Sequence, residues 1–204
     1  MMPPGQIARR VLGPAFPIFG AAYRRVFLDI AKVADWMAER APPDARILDV
    51  GGGDGYVIDA VLARRPDIRV TMSDLSPSIG GVISPAHRSR VELRPATSVD
   101  EIDGAYDAIT LSDVAHHVPV EERPAFFAAL AATARRTGCS MVLVKDIQPQ
   151  GFRAKLAELA DHWITGDWHV RQLAPEAIEL PGFERAELAM PDFPNYCLML
   201  RPSA

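Results

Sequence analysis

Ile47-Leu48-Asp49-Val50-Gly51-Gly52-Gly53-Asp54-Gly55 runs an apolar stretch straight into glycines, and a helical pattern over 56–65 follows. Glycine turns the backbone through positive φ and admits a ligand close to main-chain atoms, with no Cβ in the way. In open α/β sheets ligands bind beyond the carboxyl ends of the strands, where this loop falls. The spacing then narrows the ligand. A GxGxxG dinucleotide fingerprint needs a glycine where Tyr56 stands, and no GK[ST] follows to make a phosphate-binding loop. Gly51, Gly53 and Gly55 spell GxGxG instead, with Asp49 two residues ahead of the first. A carboxylate at that entry opposes a pyrophosphate and suits a cationic amino-acid moiety.

Outward from the loop the chain alternates. Apolar runs at 46–50, 68–73, 91–93, 106–111 and 141–144 predict strands. Helical patterns lie between them at 56–65 and 121–136, and Ser76-Pro77, an N-cap with proline at the first helical position, predicts a short helix. Gly138, after Arg135 and Arg136, reads as a helix stop with cations at the negative end. Such alternation implies a parallel sheet covered on both faces. Further on, helices are predicted over 152–163 and 175–180, and runs at 184–189 and 195–200 pair as an antiparallel hairpin. Upstream, residues 1–40 carry a local excess of three positive charges. Pro14 and Pro17 interrupt an early pattern, and a helix reads from 21 to 39 with Phe27, Ile30, Ala34 and Met37 near one face. Pro42-Pro43 ends it.

The second strand ends in an acid, Val70-Thr71-Met72-Ser73-Asp74, and Asp74 lies 19 residues after Gly55. That is close to the spacing at which an acid reaches ribose hydroxyls, and a carboxylate accepting two of them binds strongly and with fixed orientation.

With these blocks in view, the sequence resembles the class I S-adenosylmethionine-dependent methyltransferases of the small-molecule type. LDVGGGDG at 48–55, MSDLSPS at 72–78, YDAITLSDVAHHV at 106–118, SMVLVKDI at 140–147 and the terminal hairpin carry the resemblance, over roughly residues 45–200. It implies an α/β fold with a Rossmann-like, seven-stranded, mostly parallel sheet, helices on both faces and the last strand antiparallel. It implies S-adenosyl-L-methionine as cofactor. Asp49, Gly51, Gly52, Gly53 and Gly55 would surround its methionine portion, Asp74 and Leu75 its ribose, and Ser112 would stand at the end of the fourth strand. Many relatives place an acid after the third strand for the adenine amino group, whereas this chain has Pro95-Ala96-Thr97-Ser98. That contact is left to Thr97, Ser98, a backbone carbonyl or Asp100. Asp54 reads as a loop or helix-start residue.

Methyl transfer is an in-line displacement, so the protein need only align the nucleophile and in some cases remove a proton. His116 and His117 are the candidate bases, their near-neutral range suiting a phenol, enol or hydroxyl. They read equally as a local hydrogen-bond scaffold. Asp113 would orient a base or hold the acceptor. Lys145 and Asp146 read as acceptor contacts or an ordinary ion pair, and His162 as an acceptor contact in the late insertion. Trp163 and Trp168 would wall the pocket or simply pack. His87 reads as exposed. No ligand triad has metal spacing, so no metal is expected.

Composition sets the outer bounds. The 204 residues, 49% apolar and 24% charged, suit one large domain: a helical, substrate-side lid over 1–44 and the cofactor-binding domain over 45–204. A net charge of −4 weighs against nucleic acid as partner. Cys139 and Cys197 read as buried reduced thiols, and no leader or membrane-spanning run is apparent. The expectation is a cytoplasmic monomer or homodimer, without stable membrane insertion, methylating oxygen or carbon of a small aromatic or lipid-like metabolite. The alternatives are a cofactor-binding module without transfer activity, an aminopropyl transferase or a nicotinamide-dependent dehydrogenase.

Overall fold

A computed structural model describes residues 30–149, 171–192 and 195–203. Helix α1 (Ile30–Arg40) leads into strand β1 (Arg46–Val50), and helix α2 (Tyr56–Arg64) and strand β2 (Arg69–Asp74) follow. Strands β3 (Val91–Pro95) and β4 (Ala108–Ser112), helix α3 (Arg123–Arg136) and strand β5 (Met141–Ile147) come next, and the chain closes with β6 (Phe183–Asp192) and β7 (Asn195–Pro202). Among the described residues these seven strands form one sheet in the order β3-β2-β1-β4-β5-β7-β6. The pairs from β3 through β5 are parallel, and β7 runs antiparallel to both β5 and β6. Strand order reverses at β1, which lies between β2 and β4; this is the switch point where open sheets bind ligands.

Alternation along the strands feeds two cores. Leu48, Val50, Ile109, Leu111, Val142 and Val144 face Phe127, Leu130 and Ala131 of α3. Ile47, Val70, Met72 and Leu143 face Val33 and Met37 of α1 and Ile58, Val61 and Leu62 of α2. Each fully buried aliphatic side chain contributes about 1.5–3 kcal/mol over its exposed state. Helix α1 is fastened by polar groups as well. Arg40 grips Glu187 of β6 through Nε (2.8 Å) and Nη2 (2.5 Å) and lies 4.6 Å from the Trp36 ring centroid, and Trp36 Nε1 donates to Glu187 at 3.1 Å. Gly138 has φ +76 and its N–H reaches Arg135 O, ending α3 as its position predicts. Both cysteines are buried and free.

Three expectations change. Ser76-Pro77 opens no helix: the Ser76 hydroxyl accepts from Ser78 N–H, and Gly80, at φ +67, turns the chain before a helix could extend. The segment 175–180 yields only the 3-10 turn Pro175–Ala177, because Pro181 follows too closely for another turn. His87 is not a loose surface residue, for its Nδ1 lies 2.7 Å from Asp59 Oδ1. The predicted helix over 152–163 and the first half of the helix over 21–39 fall outside the described residues. Among the described residues no helix is long and apolar enough to cross a membrane.

Candidate active site

The loop after β1 bends over the carboxyl end of β2. Gly51 and Gly52 donate to the same carbonyl, Ser73 O, at 2.8 and 3.2 Å. At Gly52 a Cβ would stand 2.5 Å from Asp49 Oδ2 and 2.7 Å from Met72 Cε, so a side chain there would have to displace the buried Asp49 carboxylate. At Gly53, φ is +52, and a Cβ would meet nothing nearer than Gly51 O at 4.0 Å, because that side opens onto a cleft. The cleft has a volume of about 310 Å³. Its wall is formed by Asp49, Gly51, Gly52, Gly53, Asp54, Asp74, Ser112, Asp113 and His117, together with Ile30, Tyr56, Val57 and Ile58.

Two acids of the wall, Asp74 and Asp49, are held differently. Asp74 Oδ2 accepts from Gly53 N–H at 2.9 Å and Oδ1 from Ser76 N–H at 2.8 Å, which fixes the carboxylate by main-chain donors and leaves further lone pairs for a ligand. Asp49 is buried, and its one donor among the described residues is the Thr110 hydroxyl on β4, at 2.7 Å. Burial pushes the Asp49 carboxyl up to about 7, with Asp74 adding repulsion and Thr110 opposing it. Ser112 Oγ is buried at the same wall with no hydrogen-bond partner among the described residues. An orphaned buried hydroxyl is costly, and it marks a place where a polar ligand group fits.

Behind the wall, and joined to it through Asp113, lies a layer of paired charges. Asp113, at φ +59, accepts from the fully buried Lys145 Nζ at 2.5 and 2.6 Å. A left-handed backbone at a non-glycine residue is strained, and this ion pair and the Asp113 N–H bond to Lys145 O (2.9 Å) hold it. His116 is buried, with Nδ1 2.5 Å from Asp146 Oδ1 and its N–H 3.3 Å from Asp146 Oδ2. Burial alone would raise the Asp146 carboxyl, but the charge and hydrogen bond of His116, the Ile147 N–H and Lys145 together hold it below the ordinary carboxylate range. His117 packs on His116 with ring centroids 4.2 Å apart and reaches the cleft itself. Arg123 donates through Nε to Val118 O at 3.0 Å and through Nη2 to Arg171 O, which ties α3 to the turn that carries the histidines.

The structure therefore separates the sequence candidates. Asp49, Gly51, Gly52, Gly53, Asp74, Ser112, Asp113 and His117 meet at one cleft. Gly55 caps α2 with φ +88 beneath the loop. Lys145, Asp146 and His116 move from the wall to the layer beneath it, since all three are buried and paired there. Leu75 is largely exposed, the Thr97 hydroxyl donates to Pro95 O at 3.0 Å, and Ser98 caps the 3-10 turn Val99–Glu101, so none of the three lines the cleft. His162, Trp163 and Trp168 lie outside the described residues. Donor atoms of Asp113, His116 and Asp146 lie within 4.8 Å of one another, a proximity that spacing did not reveal. Lys145 already supplies the cation to Asp113 there. Sequence reasoning missed Thr110, whose pairing with Asp49 follows only from the β1–β4 register, and the apolar wall of Tyr56, Val57 and Ile58.

The sequence pattern of the family described as "Methyltransferase domain" matches residues 22–176. No curated protein matches the sequence. Among solved structures, the mitomycin 7-O-methyltransferase MmcR is similar with a TM-score of 0.67 and 18% identity, over 87% of this chain and 54% of that one. The O-methyltransferase NcsB1 from neocarzinostatin biosynthesis, solved with S-adenosylmethionine and 2-hydroxy-5-methyl naphthoic acid, gives 0.64 and 18%, over 95% and 58%. The magnesium protoporphyrin IX methyltransferase of Synechocystis PCC 6803, solved with bound SAH, gives 0.64 and 19%, over 96% and 99%. The chain thus spans little more than half the length of the first two and nearly all of the third.

Proposed function

The chain belongs to the methyltransferase-domain family, and on that premise we propose that it transfers the methyl group of S-adenosylmethionine to oxygen or carbon of a small-molecule acceptor. One observation carries the reading: a glycine wall open at Gly53, a main-chain-fixed Asp74 and the Ser112 hydroxyl, unpartnered among the described residues, share one cleft. These groups fit the cofactor. Gly51, Gly52 and Gly53 with Asp49 would hold its cationic amino-acid end, and Asp74 would accept from its sugar hydroxyls. When bound, the cofactor supplies a methyl group activated on a sulfonium.

The chain's own residues have simpler tasks. The glycine wall and Asp74 fix one reactant, and proximity and orientation lower the barrier to such a displacement. The position of His117 on the cleft wall supports it as the group that takes the acceptor's proton, whereas His116 is committed to Asp146 and steadies the turn. His116 is thus a positioning residue and His117 the candidate base. Asp113 borders the acceptor side, and Ile30 of α1 reaches the same wall, in keeping with an acceptor-facing role for segment 1–44. The similar proteins include a mitomycin 7-O-methyltransferase, one solved with a naphthoic acid and a magnesium protoporphyrin IX methyltransferase, which supports a ring-bearing metabolite as acceptor. We place the protein in the cytoplasm, as monomer or homodimer, and the net charge of −4 supports an acceptor other than nucleic acid.

Calorimetry with S-adenosylhomocysteine tests the cofactor half. Saturable binding by the wild type and loss of most of it in Asp74→Ala are expected; no heat with the wild type contradicts the reading. Release of labelled methyl from the cofactor onto any metabolite separates the enzyme from a module that only binds.

A further inference from the structure

A second recess, of about 190 Å³, lies at the opposite end of the sheet, where β1, β2 and β3 begin. Arg46, Arg69 and Arg90 border it, with Thr71, Ser89 and Tyr106. Topology creates it. No residue of β2 or β3 belongs to the core that packs on α3, and β3 is largely exposed. Among the described residues the connection from β3 to β4 holds only the 3-10 turn Val99–Glu101, so no helix covers this face of the two strands.

Its charge is unusual for this chain. Arg46 and Arg69 are register partners on adjacent parallel strands, which sets two like charges side by side, an arrangement that repels unless an anion joins it. Elsewhere Arg40, Arg64, Arg65 and Arg94 pair with Glu187, Asp35, Asp67 and Glu92. Among the described residues, the Arg46 and Arg69 guanidinium groups have no carboxylate within ion-pair distance. Arg46 instead lies over Tyr106, 5.8 Å from the ring centroid. Arg90 is fixed in place by Leu62 O at 3.0 Å and Arg65 O at 2.8 Å, where it closes the carbonyl end of α2. Glu92, the acid on the border, is engaged 2.7 Å from Arg94.

Guanidinium forks match the oxygens of a phosphoryl group better than any other side chain does, and Thr71 and Ser89 add hydroxyl donors. We propose that this recess is a phosphoryl-binding site, separate from the glycine-loop cleft, that takes free phosphate or the phosphate end of a nucleotide. It does not depend on the methyl-transfer reading.

Titration calorimetry of the full chain at constant ionic strength, with chloride as control, tests it using inorganic phosphate and uridine 5′-monophosphate as probes. Each titration is repeated with excess S-adenosylhomocysteine, which should leave the binding unchanged because the recess lies apart from the glycine-loop cleft. Single-site binding of phosphate is expected, weakened at least about tenfold in Arg46→Gln/Arg69→Gln. Tighter binding of the nucleotide than of phosphate would identify a nucleotide ligand, and equal binding free phosphate; either supports the site. Arg69→Gln alone, a milder change at a strand start, should show a smaller loss in the same direction. Absence of saturable heat with both probes at millimolar concentration overturns the proposal, as does equal affinity in the wild type and both variants.

Discussion

The cleft wall and the layer behind it are built from the same residue types yet held by opposite means. On the wall, main-chain N–H groups fix Asp74, and glycines keep Cβ atoms out of the way. Behind it, side chains hold side chains: Lys145 on Asp113, His116 on Asp146. Backbone-held groups keep lone pairs open toward a ligand; side-chain pairs consume each other's charge and become scaffold. The difference decides which polar residue at a strand end is available for chemistry.

The largest expected effect breaks the hidden layer. Lys145→Met leaves half-buried Asp113 without its cation and removes a charge beside buried Asp146, and should cost about 3–5 kcal/mol, read as a lower urea midpoint. A loss below about 1 kcal/mol, as at an exposed pair, would show the layer to be no scaffold. On the wall, Asp74→Ala should leave the fold intact and weaken S-adenosylhomocysteine by about ten- to a hundredfold, the worth of charge-assisted hydrogen bonds. The histidines sharpen the contrast. His117→Ala should lower turnover at least about tenfold with unchanged cofactor affinity, whereas His116→Ala should show mainly as lost stability. Swapped results would exchange their roles.

The smallest effect is on pH. Asp49 rises from 3.8 in the unfolded chain to about 7 when folded, so the folded state binds the extra proton between those values. Its contribution is present below about pH 4 and is lost as pH rises through about 7, where a buried carboxylate forms. Asp49→Asn should therefore gain in melting temperature relative to wild type between about pH 5 and pH 8. A constant difference would remove this assignment.

Much of the architecture was legible because glycine spacing, apolar alternation and the Gly138 stop are local signals. Ser76-Pro77 misled because a good cap cannot sustain a helix that Gly80 turns away. The pairing of Asp49 with Thr110 could not be read, since their 61-residue separation closes only through strand register. Nor could the burial of Lys145, Asp146 and His116. Sequence places polar residues at strand ends, but their burial and pairing in the folded chain decide which of them face the cleft.

A crystal structure with S-adenosylhomocysteine bound puts the central claim at risk most directly. The sugar hydroxyls should lie on the Asp74 carboxylate, with the amino-acid end along Gly51, Gly52 and Gly53. A nucleoside seated anywhere else contradicts the account.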